Sequence, residues 1–278
     1  MCPKNKHGDG SQEETACHII PSIAGKRVLI TGCASGIGKA TAEIFAAHGV
    51  HMVICDIQDE AGQSVAAKIS EANPHTKIKY EHLDVTVRSE CNAVVKTAVQ
   101  FLGGLESLVH AAGHIHQDAA ESIDESELDR MMDVNVKGTI FMNQAVIPYL
   151  KSGGGTILNF GSDLASEPLP LLAHYAASKG AVQSFTRAAA REWGKYGIRV
   201  NAVLAAVWTP MIDEYRGHLG AESVAGHDAF MSDRICLGEM FGEVKMDLVP
   251  VLAFLVSDAS RLVTGQLIPV NGGLSLLR

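Results

Sequence analysis

Tyr175 and Lys179, in the run Tyr175-Ala176-Ala177-Ser178-Lys179, are spaced so that a helix sets a phenol and an ammonium on one face. A free phenol titrates near 10 and is a poor base at neutral pH. Lowering it by about three units takes roughly 4 kcal/mol of preference for the phenolate. A neighbouring ammonium acts in that direction, as does any cationic group that a ligand brings. Such a pair accepts a hydroxyl proton or donates it back. Alone, this spacing is a common surface pairing, so the rest of the chain has to supply a context.

Two further residues supply it. Gly161-Ser162 follows the apolar segment Thr156–Phe160, at the carboxyl end of a strand, where open parallel sheets bind ligands. Ser162 is placed to hydrogen-bond a reacting oxygen and orient it toward Tyr175. Asn135, in Val134-Asn135-Val136-Lys137-Gly138, interrupts an otherwise apolar helix, and a mid-helix Asn needs a reason.

A phosphate site is written near the amino terminus. Thr31-Gly32-Cys33-Ala34-Ser35-Gly36-Ile37-Gly38 follows the first strand and opens the first helix. Small residues permit the tight turn, and the helix end offers free N–H groups and positive dipole to a pyrophosphate. Asp56 ends the second strand, where a carboxylate accepts bonds from ribose hydroxyls and repels an added phosphate. The expected cofactor is therefore NAD. Asp56 also suits an N-cap, and Lys39 next to the loop is either a phosphate contact or a solvated side chain.

The elements that must hold these residues alternate. Strands are expected at Arg27–Thr31, His51–Cys55, Lys77–Leu83, Ser107–Ala111, Thr156–Phe160, Arg199–Leu204 and Gln266–Val270. Between them lie helices at Gly36–His48, Glu60–Ala72, Arg88–Phe101, Glu125–Leu150, His174–Lys195 and Asp247–Val256. Apolar strands separated by helices predict an α/β fold: a single Rossmann-type doubly wound parallel sheet with helices on both faces. Residues 1–23 read as a polar N-terminal tail and 24–278 as one catalytic domain. The alternation lapses between Thr209 and Lys245, so residues 208–244 read as a substrate loop.

Composition fits an enzyme: 278 residues, 47% hydrophobic and 19% charged, enough for a large core. A net charge of −8 disfavours nucleic acid and anionic membrane surfaces, and no apolar run approaches bilayer length. The six cysteines, Cys2, Cys17, Cys33, Cys55, Cys91 and Cys236, show no pairing rhythm. Free thiols in a reducing compartment, the cytoplasm, are expected.

Together these motifs resemble the short-chain dehydrogenase/reductase family over nearly all of residues 24–273. The match comprises the Thr31–Gly38 loop, Asp84-Val85, Ala112-Gly113, Asn135, Ser162, Tyr175/Lys179, Asn201 and Asn271-Gly272-Gly273. The resemblance implies a tetrad: Tyr175 as acid/base, Lys179 lowering its pKa and binding ribose, Ser162 polarising the substrate oxygen, and Asn135 holding a water that links Lys179 to solvent. It implies an adenine pocket at Asp84 and Val85, and a nicotinamide contact at Thr209. The reaction implied is hydride transfer between NAD(H) and a secondary alcohol or ketone. A homotetramer is expected, through the small residues between Ala176 and Ala190.

Two departures qualify it. His110-Ala111-Ala112-Gly113 stands where the family has Asn-Asn-Ala-Gly, a change expected to affect stability before chemistry. Leu204-Ala205-Ala206 replaces a Pro-Gly segment and puts the nicotinamide seat in question. That departure supports one alternative, a catalytically idle dinucleotide-binding scaffold; an NADP-linked reductase is another. His110, His114 and His116 lack a fourth ligand at supporting spacing, so no metal is expected. His174 is expected to pack or face solvent. The substrate cleft is expected to take in His114, Leu164, Leu169, Leu171, Leu172, Trp208, Met211 and the loop through Met231, a lining suited to an apolar or cyclic secondary alcohol.

Overall fold

The structure is a computed structural model, and residues 22–217, 221–237 and 240–275 are described. Seven strands form one sheet: β1 (Arg27–Thr31), β2 (His51–Asp56), β3 (Ile78–His82), β4 (Ser107–His110), β5 (Gly155–Phe160), β6 (Ile198–Ala205) and β7 (Leu267–Val270). Their order is β3-β2-β1-β4-β5-β6-β7, and every pairing is parallel. The expected doubly wound α/β sheet is what the chain forms.

The central strands carry apolar residues on both faces because each face has its own core. Ile30, Ile54, Val109, Leu158 and Val203 face one core with Phe45 and Leu252. Their neighbours Leu29, Val53, Leu108, Ile157 and Val200 face the other with Val94 and Met142. Alternate residues of a strand point to opposite faces, so two covered faces erase the polar alternation.

The helices are α1 (Gly36–Ala47), α2 (Asp59–Ala72), α3 (Arg88–Leu102), α4 (Glu125–Met131), α5 (Thr139–Leu150), α6 (Ala173–Trp193), α7 (Pro210–Gly217), α8 (Ala221–Arg234) and α9 (Val249–Val256). Two differ from expectation. The helix read as continuous over Glu125–Leu150 is divided by a π-helical turn, Met132–Gly138. Segment 209–245 is largely helical, as α7 and α8, rather than loop. The chain passes from β1 at the sheet's middle to opposite sides, so strand order reverses between β1 and β4, the place where such sheets bind ligands.

Candidate active site

The phosphate loop between β1 and α1 runs against the segment after β4. A Cβ on Gly32 would stand 2.7 Å from the Ala112 nitrogen, and φ there is +71°, so only glycine fits. A Cβ on Gly38 would meet the Gly32 carbonyl oxygen at 2.2 Å, which is how α1 packs so tightly on the loop. Ser35 is the N-cap but makes no side-chain capping bond, and the first turn has no acid. The first turn of α1 therefore sets no acid of its own against an anion at the amides of Gly36, Ile37 and Gly38.

Asp56 ends β2, and its carboxylate accepts 2.9 Å and 3.0 Å bonds from the amides of Ala34 and Gln58. It braces the phosphate loop as well as facing the groove. That groove is lined by Gly32, Ser35, Gly36, Ile37, Gly38, Asp56, Asp84, Val85, Ala112, Gly113 and Thr209. The Asp84 carboxylate accepts from the Thr86 amide and hydroxyl, turning the chain away after Leu83. A cradle this long, floored by glycine and ending at a strand acid, fits a nicotinamide dinucleotide.

A second, largely apolar cavity adjoins the groove, and Ile37, Ala111, Gly113, His114, Thr209 and Met211 line both. Ser162, Tyr175 and Lys179 all open on it. Ser162 follows β5; its hydroxyl oxygen accepts from the Leu164 amide at 3.1 Å, which leaves its own proton to be shared with another oxygen, as with that of Tyr175. Gln183, two turns along α6 from Tyr175, donates to the Ser162 carbonyl at 2.7 Å and locks that turn to the catalytic helix.

Lys179 is 7% exposed and donates to the Phe160 carbonyl at 3.0 Å. Its nitrogen lies 5.7 Å from the Tyr175 ring centre. Burial pushes the Lys179 ammonium down to about 8. Burial also pushes the Tyr175 phenol up to about 12, with the Ser162 side chain acting against that rise and Asp163 adding to it. The free protein therefore keeps the proton on Tyr175.

Asn135 sits in the π-helical turn, 1% exposed. Its amide oxygen accepts from the His114 amide at 2.8 Å, and its nitrogen donates to the His114 carbonyl and the Ser178 hydroxyl. The side chain thus ties the loop after β4 to α6; π-turns of this kind recur at functional sites. His114 also pairs with Glu127 at 3.2 Å.

His110 is buried, and its Nδ1 shares a 2.9 Å hydrogen bond with the Thr31 hydroxyl, while its Nε2 has no partner. Burial lowers it to about 3, so it is neutral. His174 is buried with both ring nitrogens unpartnered. The Leu204–Ala206 departure is an extension of β6: the Ala206 amide donates to Val270, the Trp208 amide to Gly242, and Val207 bridges Gly242. Ala205, Ala206 and Val207 still line the cavity, but the amides of Ala206 and Trp208 are committed within the protein.

Leu164, Leu169, Leu172, Met211 and Met231 line the cavity with His114. Leu171 and Trp208 are not among its lining residues. Leu171 turns outward at φ +68°. Trp208 is 36% exposed, packs edge-on against Phe241 and donates to Asp213. Phe241, Tyr215, His227, Asp163 and Leu274 line the cavity without having been singled out in the sequence. Thr209-Pro210 was the available signal for α7 and hence for Tyr215, since proline favours a helix's first turn.

A family model described as enoyl-(acyl carrier protein) reductase matches residues 32–275. The chain is 33% identical over 261 residues to trans-4-hydroxycyclohexanecarboxylate dehydrogenase of Sinomonas cyclohexanicum, covering 92% of this chain and 95% of that one. It is 36% identical over 254 residues to a 3-oxoacyl-(acyl-carrier-protein) reductase of Thermotoga maritima, covering 91% and 98%. Among solved structures, a 3-ketoacyl-(acyl-carrier-protein) reductase from Brucella melitensis complexed with NADH superposes with a TM-score of 0.80 at 32% identity, covering 92% and 100%. With a family match over residues 32–275 and relatives identical at a third of positions over nearly the whole chain, the chain belongs to the short-chain dehydrogenase/reductase family of oxidoreductases.

Proposed function

We propose that the protein is an NAD(H)-dependent dehydrogenase/reductase interconverting a secondary alcohol and its ketone on an apolar or cyclic framework. One observation carries this: Ser162, Tyr175 and Lys179 open together on an apolar cavity that shares a wall with the groove containing Asp56. When bound, the dinucleotide accepts or returns the hydride and, oxidised, adds positive charge beside the phenol. Ser162 directs its hydroxyl proton to the substrate oxygen. Tyr175, protonated in the free protein, donates to a ketone oxygen, and Lys179 supports the phenolate left behind by charge rather than by contact. Asn135 keeps the His114 backbone and α6 in place around them.

Asp56 supports NAD over NADP, because a second phosphate on the ribose would meet a carboxylate already fixed by two backbone amides. The solved relative complexed with NADH and the relative named for a hydroxycyclohexane acid support the cofactor and the cyclic substrate class. One sheet and two continuous cores support the reading of residues 24–278 as a single domain. Among the described residues the cysteines are free and no helix is long and apolar enough to cross a membrane, which supports a reducing setting such as the cytoplasm. Residues Ala176–Ala190 of α6 are read as a contact between copies in a homotetramer; a monomer by light scattering at micromolar concentration overturns that part. The functional test follows NADH absorbance over a panel of cyclic and acyclic alcohols and ketones, with Tyr175→Phe beside the parent. Loss of turnover in the variant is expected; equal rates would end the assignment.

A further inference from the structure

We propose that Asp163 is a positioning residue that latches the carboxyl-terminal segment Asn271–Ser275 onto the substrate cavity and sets a negative charge on the wall it shares with Tyr175. The second half rests on the reading of Tyr175 as the acid/base.

Asp163 directly follows Ser162 and is 5% exposed. Its Oδ1 accepts from the Ser275 hydroxyl at 2.5 Å and from the Asn271 amide at 3.0 Å. Asn271 and Ser275 are themselves buried, and Leu274 between them lines the cavity. The Asn271 amide oxygen accepts from the Gly273 nitrogen, so one side chain folds the whole segment into a tight turn held by Asp163.

The segment also reaches the far side of the cavity. The Leu237 amide, just past α8, donates to the Gly272 carbonyl at 2.9 Å. Gly273 packs so closely on Cys236 that a Cβ there would stand 3.2 Å from its side chain. A continuous path therefore runs from Ser162 through Asp163 and Asn271 to the end of α8. Arg234 of α8 pairs with Glu167 at 2.9 Å, joining the same two elements a second time.

Those bonds alone do not require an acid, since an Asn side-chain oxygen accepts equally well. A buried carboxylate is costly unless a cation pairs with it, and among the described residues Asp163 makes no ion pair, so its charge calls for another account. It shares the cavity wall with Tyr175 and Lys179 of α6 and with His114; its own turn brings Glu167, and the described part of the carboxyl-terminal segment brings the neutral Asn271 and Ser275. Burial raises the Tyr175 pKa most, and the Asp163 charge adds to that rise, which favours the protonated phenol that a ketone reduction uses.

Two variants separate the roles. Asp163→Ala removes both anchors, and hydrogen exchange in residues 271–275 is expected to speed about tenfold, the equivalent of one lost charge-assisted bond; unchanged protection overturns the latch. Should that variant fold poorly, Asn271→Ala with Ser275→Ala releases the segment from the other side and carries the same expectation. Asp163→Asn keeps the acceptor and removes the charge. Its Tyr175 phenolate, followed by difference absorbance against Tyr175→Phe backgrounds, is expected to appear at lower pH than in the parent. An unmoved midpoint overturns the electrostatic role. Both readouts work without turnover, so an inactive parent would reject the functional reading while the latch is judged separately. Where turnover is seen, Asp163→Ala raises KM and Asp163→Asn moves the pH profile of kcat.

Discussion

Lys179 donates a 3.0 Å hydrogen bond to the carbonyl of Phe160, the last residue of β5 and two residues before Ser162. One strand end thus fixes both the ammonium and the hydroxyl. The lysine nitrogen stays 5.7 Å from the Tyr175 ring centre, near enough to act through its charge and too committed to act as the phenol's own partner.

That arrangement costs stability. Burial lowers Lys179 to about 8 from its ordinary 10.5, so below pH 8 the folded state carries an ammonium that the unfolded state solvates more comfortably. Lys179→Met is expected to unfold later at pH 7, by about 1 kcal/mol after the unpaired Phe160 carbonyl is counted. Its kcat should fall by about 10²-fold or more. Denaturant melts and steady-state kinetics on one preparation check both; a destabilised variant with intact kcat contradicts the role.

Asp56 braces the phosphate loop through the Ala34 amide, and on the proposed reading the same carboxylate sets cofactor choice. Asp56→Asn keeps an acceptor but loses the charge. NADH is expected to bind about tenfold more weakly, and the preference over NADPH to shrink by more than that. Fluorescence titration with both cofactors measures it. Tighter NADPH than NADH binding in the parent would remove Asp56 from its assigned part.

His110 makes a pH prediction with a definite sign. Its folded-state pKa is about 3 against an ordinary 6.5. Between those values the unfolded state binds the extra proton, so stability is full above about 6.5 and falls as the pH drops. From pH 7 to pH 5 the loss is about 2 kcal/mol. His174, also lowered by burial, adds in the same direction. His110→Asn is expected to flatten this acid slope without abolishing it, as read from denaturation at the two pH values.

Most of the sheet was legible in the sequence because both-face burial writes apolar strands between periodic helices. Tyr175, Lys179, Ser162 and the phosphate loop lie in short local patterns, and the structure brings the first three to one cavity. Asn135 was legible as an anomaly, but its meaning was not: a π-turn differs from an α-helix by one residue in hydrogen-bond register, which side-chain periodicity barely records. Asp163 and Ser275 meet across 112 residues of sequence, a contact set by where β5 and β7 end. Trp208 misled because its indole suits a cleft, whereas its N–H is satisfied by Asp213 on α7.

The π-turn also yields a test. Asn135 satisfies the amide and carbonyl of His114 together with the Ser178 hydroxyl, and Asn135 and Ser178 are themselves buried. Asn135→Ala leaves the part-buried His114 amide without its acceptor and the buried Ser178 oxygen without its donor. Each such group costs about 1–3 kcal/mol when orphaned, so the variant is expected to lose about 2–4 kcal/mol in all. Asn135→Asp keeps the acceptor for the His114 amide but sets a carboxylate against the His114 carbonyl, so it is expected to rescue only part of that loss. Its kcat should stay low, because the loop after β4 forms part of the wall shared by groove and cavity. A fully stable Asn135→Ala protein with normal kcat would show that α6 is positioned without this side chain.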